Sequence, residues 1–261
     1  MVSLTTSTWP RFPGLDRKVA LVTGGSRGIG AATCRALAAN GVAVAVNGRD
    51  RAAIDAVVES ITTDGGRAVA APGDVTDPDA VAGVRHIVDH ALGPVDILAA
   101  FAGGQGRPTP TAQLRPDRWR AVLDTDLTSV FLTVHEFLPG MITRHAGSII
   151  LMSSTAGRHP SAANAAYAAA KAGVVMFGKH LANEVGQDGV RVNCLAPSAV
   201  LNDKMRTAMS EEQIEHLGDS FPLGRIGEPE DIARAVLYFA APASSWITGA
   251  TLDLTGGRVI V

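Results

Sequence analysis

Seven short apolar runs, at 18–23, 42–47, 67–71, 95–100, 147–153, 189–195 and 250–254, punctuate the chain, and the stretches between them are long enough for helices. The first, Lys18-Val19-Ala20-Leu21-Val22-Thr23, is apolar without alternation and reads as a strand buried on both faces. Strands alternating with helices predict parallel pairing through right-handed crossovers. The expected fold is therefore α/β, a single doubly wound parallel sheet of about seven strands with helices on both faces. In such a sheet the ligand crevice lies beyond the carboxyl ends of the strands. Ser154, Pro197 and a glycine-rich turn at 24–30 each fall just after a predicted strand end.

Two regions interrupt the alternation. Residues 103–111 (Gly-Gly-Gln-Gly-Arg-Pro-Thr-Pro-Thr) carry too much glycine and proline to be regular and follow the fourth strand, so they border the predicted pocket. Residues 198–221 read as a surface connection, with one or two short helices over 203–217. Longer helices are expected around 113–145 and 161–186. Residues 1–15, rich in Ser, Thr and Pro, form an N-terminal extension without the pattern of a signal peptide, and 16–261 form the domain.

Chemistry enters at the turn Gly24-Gly25-Ser26-Arg27-Gly28-Ile29-Gly30, between the first strand and a helix-like stretch from Ala31. Glycines let the backbone approach a pyrophosphate, and the first helical turn offers free N–H groups and a positive dipole end. Alone, such a cluster also reads as a turn with close helix packing. A second constellation lies downstream. Tyr167 and Lys171 are four apart in an alanine-rich run, which places phenol and ammonium on one helix face, and Ser154 stands thirteen residues before the tyrosine. A neighbouring cation favours phenolate and suits the pair to acid and base work on an alcohol or ketone.

Composition narrows the partners. With 261 residues, 46% of them hydrophobic, the chain can bury one sizeable core. A net charge of -2 without a basic run argues against nucleic acid or an anionic membrane surface, and no apolar run approaches the ~20 residues of a membrane span. The histidines and carboxylates do not cluster as a metal site. Cys34 and Cys194 read as small buried hydrophobes; a disulfide between them stays open at this level, but a reducing, cytoplasmic compartment fits better.

Together the glycine turn, the Ser154, Tyr167 and Lys171 set, Asp74-Val75, Asn193-Cys194-Leu195-Ala196-Pro197, and the tail from Pro222-Leu223-Gly224-Arg225 through Ile247-Thr248-Gly249 to Gly256-Gly257 resemble the short-chain dehydrogenase/reductase family, in its 3-oxoacyl-carrier-protein reductase branch. The resemblance runs from about residue 16 to 257 and implies a Rossmann-like fold, with 198–221 as a mobile substrate lid in place of a plain surface connection. It also implies hydride exchange between a nicotinamide and a carbonyl or alcohol, with Tyr167 as general acid/base, Ser154 holding the oxygen and Lys171 lowering the tyrosine's pKa while holding the nicotinamide ribose. The substrate is a small carbonyl or alcohol compound, free or linked to a thioester or carrier protein, and a homo-oligomer, dimer or tetramer, is expected.

By the same resemblance the cofactor rests on Gly24, Ser26, Arg27, Gly28, Ile29, Gly30, Asn47, Arg49, Asp74, Val75, Ala102, Gly103, Tyr167, Lys171, Pro197 and Asn202. Charge argues for NADPH over NADH. The second strand ends in Val46-Asn47-Gly48-Arg49, with no carboxylate to hold ribose hydroxyls, whereas Arg27 and Arg49 suit a 2′-phosphate. The alternative for Arg49 is a helix cap or a surface ion pair with Asp50 or Asp55.

Three departures from the family pattern stand out. Ala100-Phe101-Ala102-Gly103 replaces a run with two amides, so Phe101 either fills apolar space or narrows the crevice. Asp126 occupies the place of the fourth catalytic residue, usually Asn. Two readings stand: an anion that opposes phenolate formation through Lys171, or a helix residue that accepts an inconsequential hydrogen bond. Pro197-Ser198 replaces Pro-Gly, with Asn202 where a Thr often binds the nicotinamide amide. Gln105, Arg107, His159 and Ser161 are polar candidates near the substrate, although His159 beside Pro160 equally reads as an exposed loop residue. These departures keep two alternatives open: redox-neutral chemistry such as epimerisation, dehydration or cyclisation, and a nucleotide-binding partner protein without turnover.

Overall fold

The structure is a computed structural model that describes residues 9–259. Its seven strands are β1 (Val19–Thr23), β2 (Ala43–Gly48), β3 (Ala68–Pro72), β4 (Ile97–Ala100), β5 (Gly147–Met152), β6 (Val190–Pro197) and β7 (Thr251–Leu254). Their ends differ from the predicted runs by at most two residues. All pair in parallel in the order β3-β2-β1-β4-β5-β6-β7.

Nine α-helices accompany them among the described residues: α1 (Gly28–Ala39), α2 (Arg51–Thr63), α3 (Pro78–Ala91), α4 (Pro116–Leu123), α5 (Ser129–Arg144), α6 (Ala165–Val185), α7 (Asp203–Ala208), α8 (Glu211–Gly218) and α9 (Pro229–Ala240). The stretch expected as one helix over 113–145 is α4 and α5 joined by a π-helical turn at Asp124–Thr128. The segment at 203–217 folds as the two short helices α7 and α8.

Side chains leave a strand on alternate faces, so each central strand feeds two cores. Ala20, Val22, Val44, Val46 and Ile150 join one core with α1, α2 and α9, whereas Leu21, Ala45, Ile149 and Leu151 join the other with α3, α5 and α6. That double burial explains the near-continuous apolar runs. Cys34 lies in the first core and Cys194 in the second, so the sheet separates them; both are free. Of the N-terminal extension, residues 1–8 lie outside the described residues. Trp9, Phe12 and Leu15 pack against the first core, and Asn40 ties Pro10 and Phe12 to the end of α1. Ile260 and Val261 of the apolar tail also lie outside the described residues.

The order reverses at β1. The chain moves outward through β2 and β3, then crosses back to place β4 on the other side of β1. The connections leaving β1 and β4 therefore diverge and open a crevice at their carboxyl ends, where an open α/β sheet binds its ligand. Ile150 is fully buried in the middle of β5, in the first core. Ile150→Ala is expected to lower stability by about 2–5 kcal/mol, read as a lower urea midpoint at unchanged slope.

Candidate active site

A cleft of about 600 Å³ occupies the crevice. Its lining includes Gly24, Ser26, Arg27, Gly28, Ile29, Gly30, Asn47, Arg49, Asp74, Val75, Ala102, Gly103 and Asn202, thirteen of the residues anticipated for the cofactor. Tyr167, Lys171 and Pro197 lie outside that lining. The glycines have steric reasons. A Cβ on Gly30 would collide with the Gly24 carbonyl, while Gly28, at φ 49, has open space where a side chain would project. Arg27, the residue before α1, has extended backbone and no side-chain cap, so the first-turn N–H groups remain available to an anion. The cradle thus fits a pyrophosphate.

The cleft wall reaches well beyond the anticipated set, to Phe101, Gly104, Gln105, Thr125, Met152 and Val200 among others. Phe101 does both things foreseen for it, since it packs against the first core and lines the cleft. Where amides were missing, the buried Thr23 hydroxyl accepts from the backbone N–H groups of Phe101 (2.9 Å) and Ala102 (3.1 Å), tying β1 to the end of β4. Asn47 donates to the carbonyls of Ala71 and Gly73. Arg27 pairs with Asp50, and Arg49 with Asp74 at 3.4 Å rather than with Asp50 or Asp55. Asp74 also accepts from the Thr76 backbone and hydroxyl; these contacts outweigh its partial burial and hold its carboxyl below the usual range. Asn202 spends its amide on the chain itself: it caps α7 through the Met205 N–H and donates to the Val200 carbonyl.

Beside this cleft, β5 and α6 bring Ser154, Tyr167 and Lys171 together. Ser154 follows β5, accepts from the Ala156 N–H at 3.2 Å and lies close enough to the Tyr167 phenol to act on its ionisation. One helical turn further along α6, the buried Lys171 ammonium lies 5.6 Å from the tyrosine ring centroid and donates to the Met152 carbonyl at 3.0 Å. Asp126, fully buried in the π-helical turn, stands 3.3 Å from Lys171.

The electrostatic outcome differs from the expectation that Lys171 depresses the tyrosine. Burial pushes the Tyr167 phenol up to about 12, the neighbouring Ser154 hydroxyl works against that rise, and the Asp126 charge adds to it. Burial lowers the pKa of Lys171, and Asp126 opposes that fall. Two features cause the difference. The lysine's charge is matched by a carboxylate, and the 103–107 loop covers the phenol: a Cβ on Gly106 would sit 3.1 Å from Tyr167 Cδ1.

Asn164 fastens that loop. Its Oδ1 accepts from the Tyr167 N–H and caps α6, while its Nδ2 donates to the carbonyls of Gln105 (2.8 Å) and Arg107 (3.0 Å). The sequence reading missed this residue, although an Asn three before Tyr167 at the start of an alanine-rich stretch carried the signal of a helix cap. Of the substrate candidates, Gln105 lines the cleft and accepts from Arg118, Arg107 lends its carbonyl to Asn164, His159 is half-buried, and Ser161 is exposed.

Among the described residues no helix is long and apolar enough to cross a membrane. The family model for short chain dehydrogenases matches residues 18–214. A 3-oxoacyl-[acyl-carrier-protein] reductase of Synechocystis sp. is 38% identical over 248 residues, covering 94% of this chain and 98% of its own. An acetoacetyl-CoA reductase of Shinella zoogloeoides is 38% identical over 94% of this chain and 99% of its own. The crystal structure of a 3-oxoacyl-[acyl-carrier protein] reductase from Brucella melitensis with bound NAD superposes with a TM-score of 0.88 at 31% identity, covering 100% of this chain and 98% of that one. Sequence, fold and site agree that this chain belongs to the short-chain dehydrogenase/reductase family, on its ketoreductase branch, as an NAD(P)-dependent oxidoreductase of carbonyl or alcohol groups.

Proposed function

We propose that the protein reduces a 3-oxoacyl thioester, or a related small ketone, to the secondary alcohol with NADPH, and that Tyr167 passes the proton. The observation that carries this reading is the convergence of Ser154, Tyr167 and Lys171 beside the cleft. It marks one point where a carbonyl oxygen can meet both hydroxyls. The thioester is suggested by the relatives named for 3-oxoacyl-carrier-protein and acetoacetyl-CoA reduction.

The glycine turn with Ser26, Arg27 and Ile29 would hold the cofactor's phosphates, Asp74 and Val75 its adenine end, and Ala102, Gly103, Pro197 and Asn202 its nicotinamide end. Bound there, the nicotinamide supplies a hydride to a carbonyl carbon. The chain's own residues handle the oxygen. Ser154 orients it by hydrogen bonding, Tyr167 Oη releases its proton to it, and Lys171 fixes the tyrosine's surroundings. In this reading 16–261 is one catalytic domain and 198–221 is the substrate lid. A small apolar cluster of its own, Leu201, Phe221 and Ile226 with Met205, Ile214 and Leu217, suits that segment to move as a unit.

NADPH is favoured because the end of β2 offers Asn47 in place of a carboxylate, with Arg27 and Arg49 at the same cleft. Both arginines already have carboxylate partners, but these pairs are exposed and weakly held. A phosphate can therefore displace them at small cost. The free, buried cysteines suit a reducing cytoplasm. Phe131 on α5 and Met176 on α6, 48% and 64% exposed, suit burial against a second copy in a homo-oligomer.

Purified protein should consume NADPH in the presence of a β-ketoacyl thioester, followed by absorbance. Tyr167→Phe should cut the rate by about 10²–10⁴-fold while NADPH affinity, followed by fluorescence, stays within a factor of two or so of wild type. NADPH that binds yet is never consumed across a panel of ketones would replace this reading with redox-neutral chemistry. Arg49→Ala should weaken NADPH binding about tenfold or more, since a hydrogen bond to a charged group contributes about 1.5–3 kcal/mol, and leave NADH binding unchanged. Equal losses for both cofactors would overturn the NADPH assignment.

A further inference from the structure

Asp126 is fully buried, and the groups turned towards its carboxylate are donors. The Gly104 N–H donates to Oδ1 at 2.6 Å, the Gln105 N–H donates to Oδ2 at 3.2 Å, and the Lys171 ammonium lies 3.3 Å from Oδ1. Gly103, at φ 140, lets the loop come this close, because a Cβ there would run into the same carboxylate oxygen. An ionised carboxylate is acceptor-only and satisfies donors on both oxygens. An asparagine would turn an NH₂ towards one of them. The pocket is therefore built for the anion and not for the amide usual at this place.

The carboxylate has two effects on Tyr167. It offsets the Lys171 charge, so the phenol faces a nearly neutral pair instead of a net cation. It also pins the loop whose Gly106 lies against the ring, which limits the contact of the half-buried phenol with water. Other charged and titratable groups surround this centre. Cys194 on β6 lies behind Lys171; beyond it Arg158 and Asp253 form their own pair at 2.9 Å. Arg107 and His159 belong to the flanking loops, and Arg118 on α4 is bound to the Gln105 side chain. Asp126 is the acidic group that both touches the lysine and bears on the phenol.

We infer that Asp126 is a positioning residue that cancels the charge of Lys171 and clamps the 103–105 backbone, thereby keeping Tyr167 in its proton-carrying form through neutral and mildly alkaline pH. A proton that leaves Tyr167 Oη for a substrate oxygen leaves a phenolate, which takes its replacement from water. Built this way the site is loaded for carbonyl reduction, whereas alcohol oxidation, which needs the phenolate, awaits higher pH. Only this directional consequence rests on the proposed function; the protonation of the phenol stands apart from it.

Two tyrosines in the chain make the test direct. Protein labelled with [¹³Cζ]tyrosine, free of cofactor and substrate, is titrated by NMR, and Tyr167→Phe separates the Tyr167 signal from that of Tyr238. In the wild type Tyr167 is expected to remain protonated beyond the ordinary phenol midpoint of ~10. Asp126→Asn is expected to lower its midpoint by at least about one pH unit, a tenfold change in the ionisation constant. Asn164→Ala, which releases the same loop without touching the charge pair, serves as control and is expected to move the midpoint less. A wild-type midpoint below ~10, an Asp126→Asn midpoint unchanged from wild type, or an equal shift in Asn164→Ala would overturn the inference. Should Asp126→Asn fail to fold, Asp126→Ser, which likewise removes the charge, is titrated in its place with the same expected and overturning results. Because no turnover is read, this result is independent of whether the protein proves to be a ketoreductase.

Discussion

Uniform parallel pairing is the constraint that dictates the layout of this structure. Parallel neighbours cannot be joined by tight turns, so a crossover must separate them, and the crossing helices cover both faces of the sheet. Strands buried on both sides must then be apolar along most of their length, as β1 and β2 are up to Val22 and Val46. Because β4 pairs with β1 on the side away from β2, the order reverses once, and the loops at that point part to leave the cleft. The cleft is thus a consequence of topology before any side chain lines it.

Chemistry gathers there because strand ends and helix starts share one edge of the sheet. The turn after β1 delivers glycines and the first turn of α1, while the loop after β5 delivers Ser154. The start of α6 delivers Tyr167 and, one turn later, Lys171. The loop after β4 closes over this group, tied by Asn164 from α6 and Asp126 from the π-helical turn. A π turn inserts a residue's worth of extra backbone and redirects the helix beyond it, a distortion that recurs at functional sites. Here it carries the buried acid that meets the lysine.

Three influences compete at the phenol. Burial raises its pKa, the neighbouring Ser154 hydroxyl lowers it, and the buried carboxylate raises it again. The lysine alone would favour phenolate, but an ion pair at 3.3 Å in a dry site presents little net charge to its neighbour. Surface arginines at the other end of the cleft obey opposite rules. Their pairs with Asp50 and Asp74 are water-exposed and weakly held, so they remain free to exchange partners.

Much of this was legible in the sequence because it is local. Apolar runs mark β1 to β7 since burial on both faces leaves no alternation, and Gly24 to Gly30 mark the cradle since backbone clearance demands them. The four-residue spacing of Tyr167 and Lys171 places them on one face since helical geometry repeats. What the sequence left open depends on residues distant along the chain. The contacts of Asp126 are one case: its carboxylate, beside Lys171, meets the N–H groups of Gly104 and Gln105, 22 and 21 residues away. The alternative reading of Arg49 named Asp50 or Asp55, near in sequence, yet parallel pairing of β2 with β3 brings up Asp74 instead. Periodicity and spacing report what a residue does to its own element. The sign of the electrostatics at Tyr167 depends on which distant charges the fold buries together, and only the tertiary structure decides that.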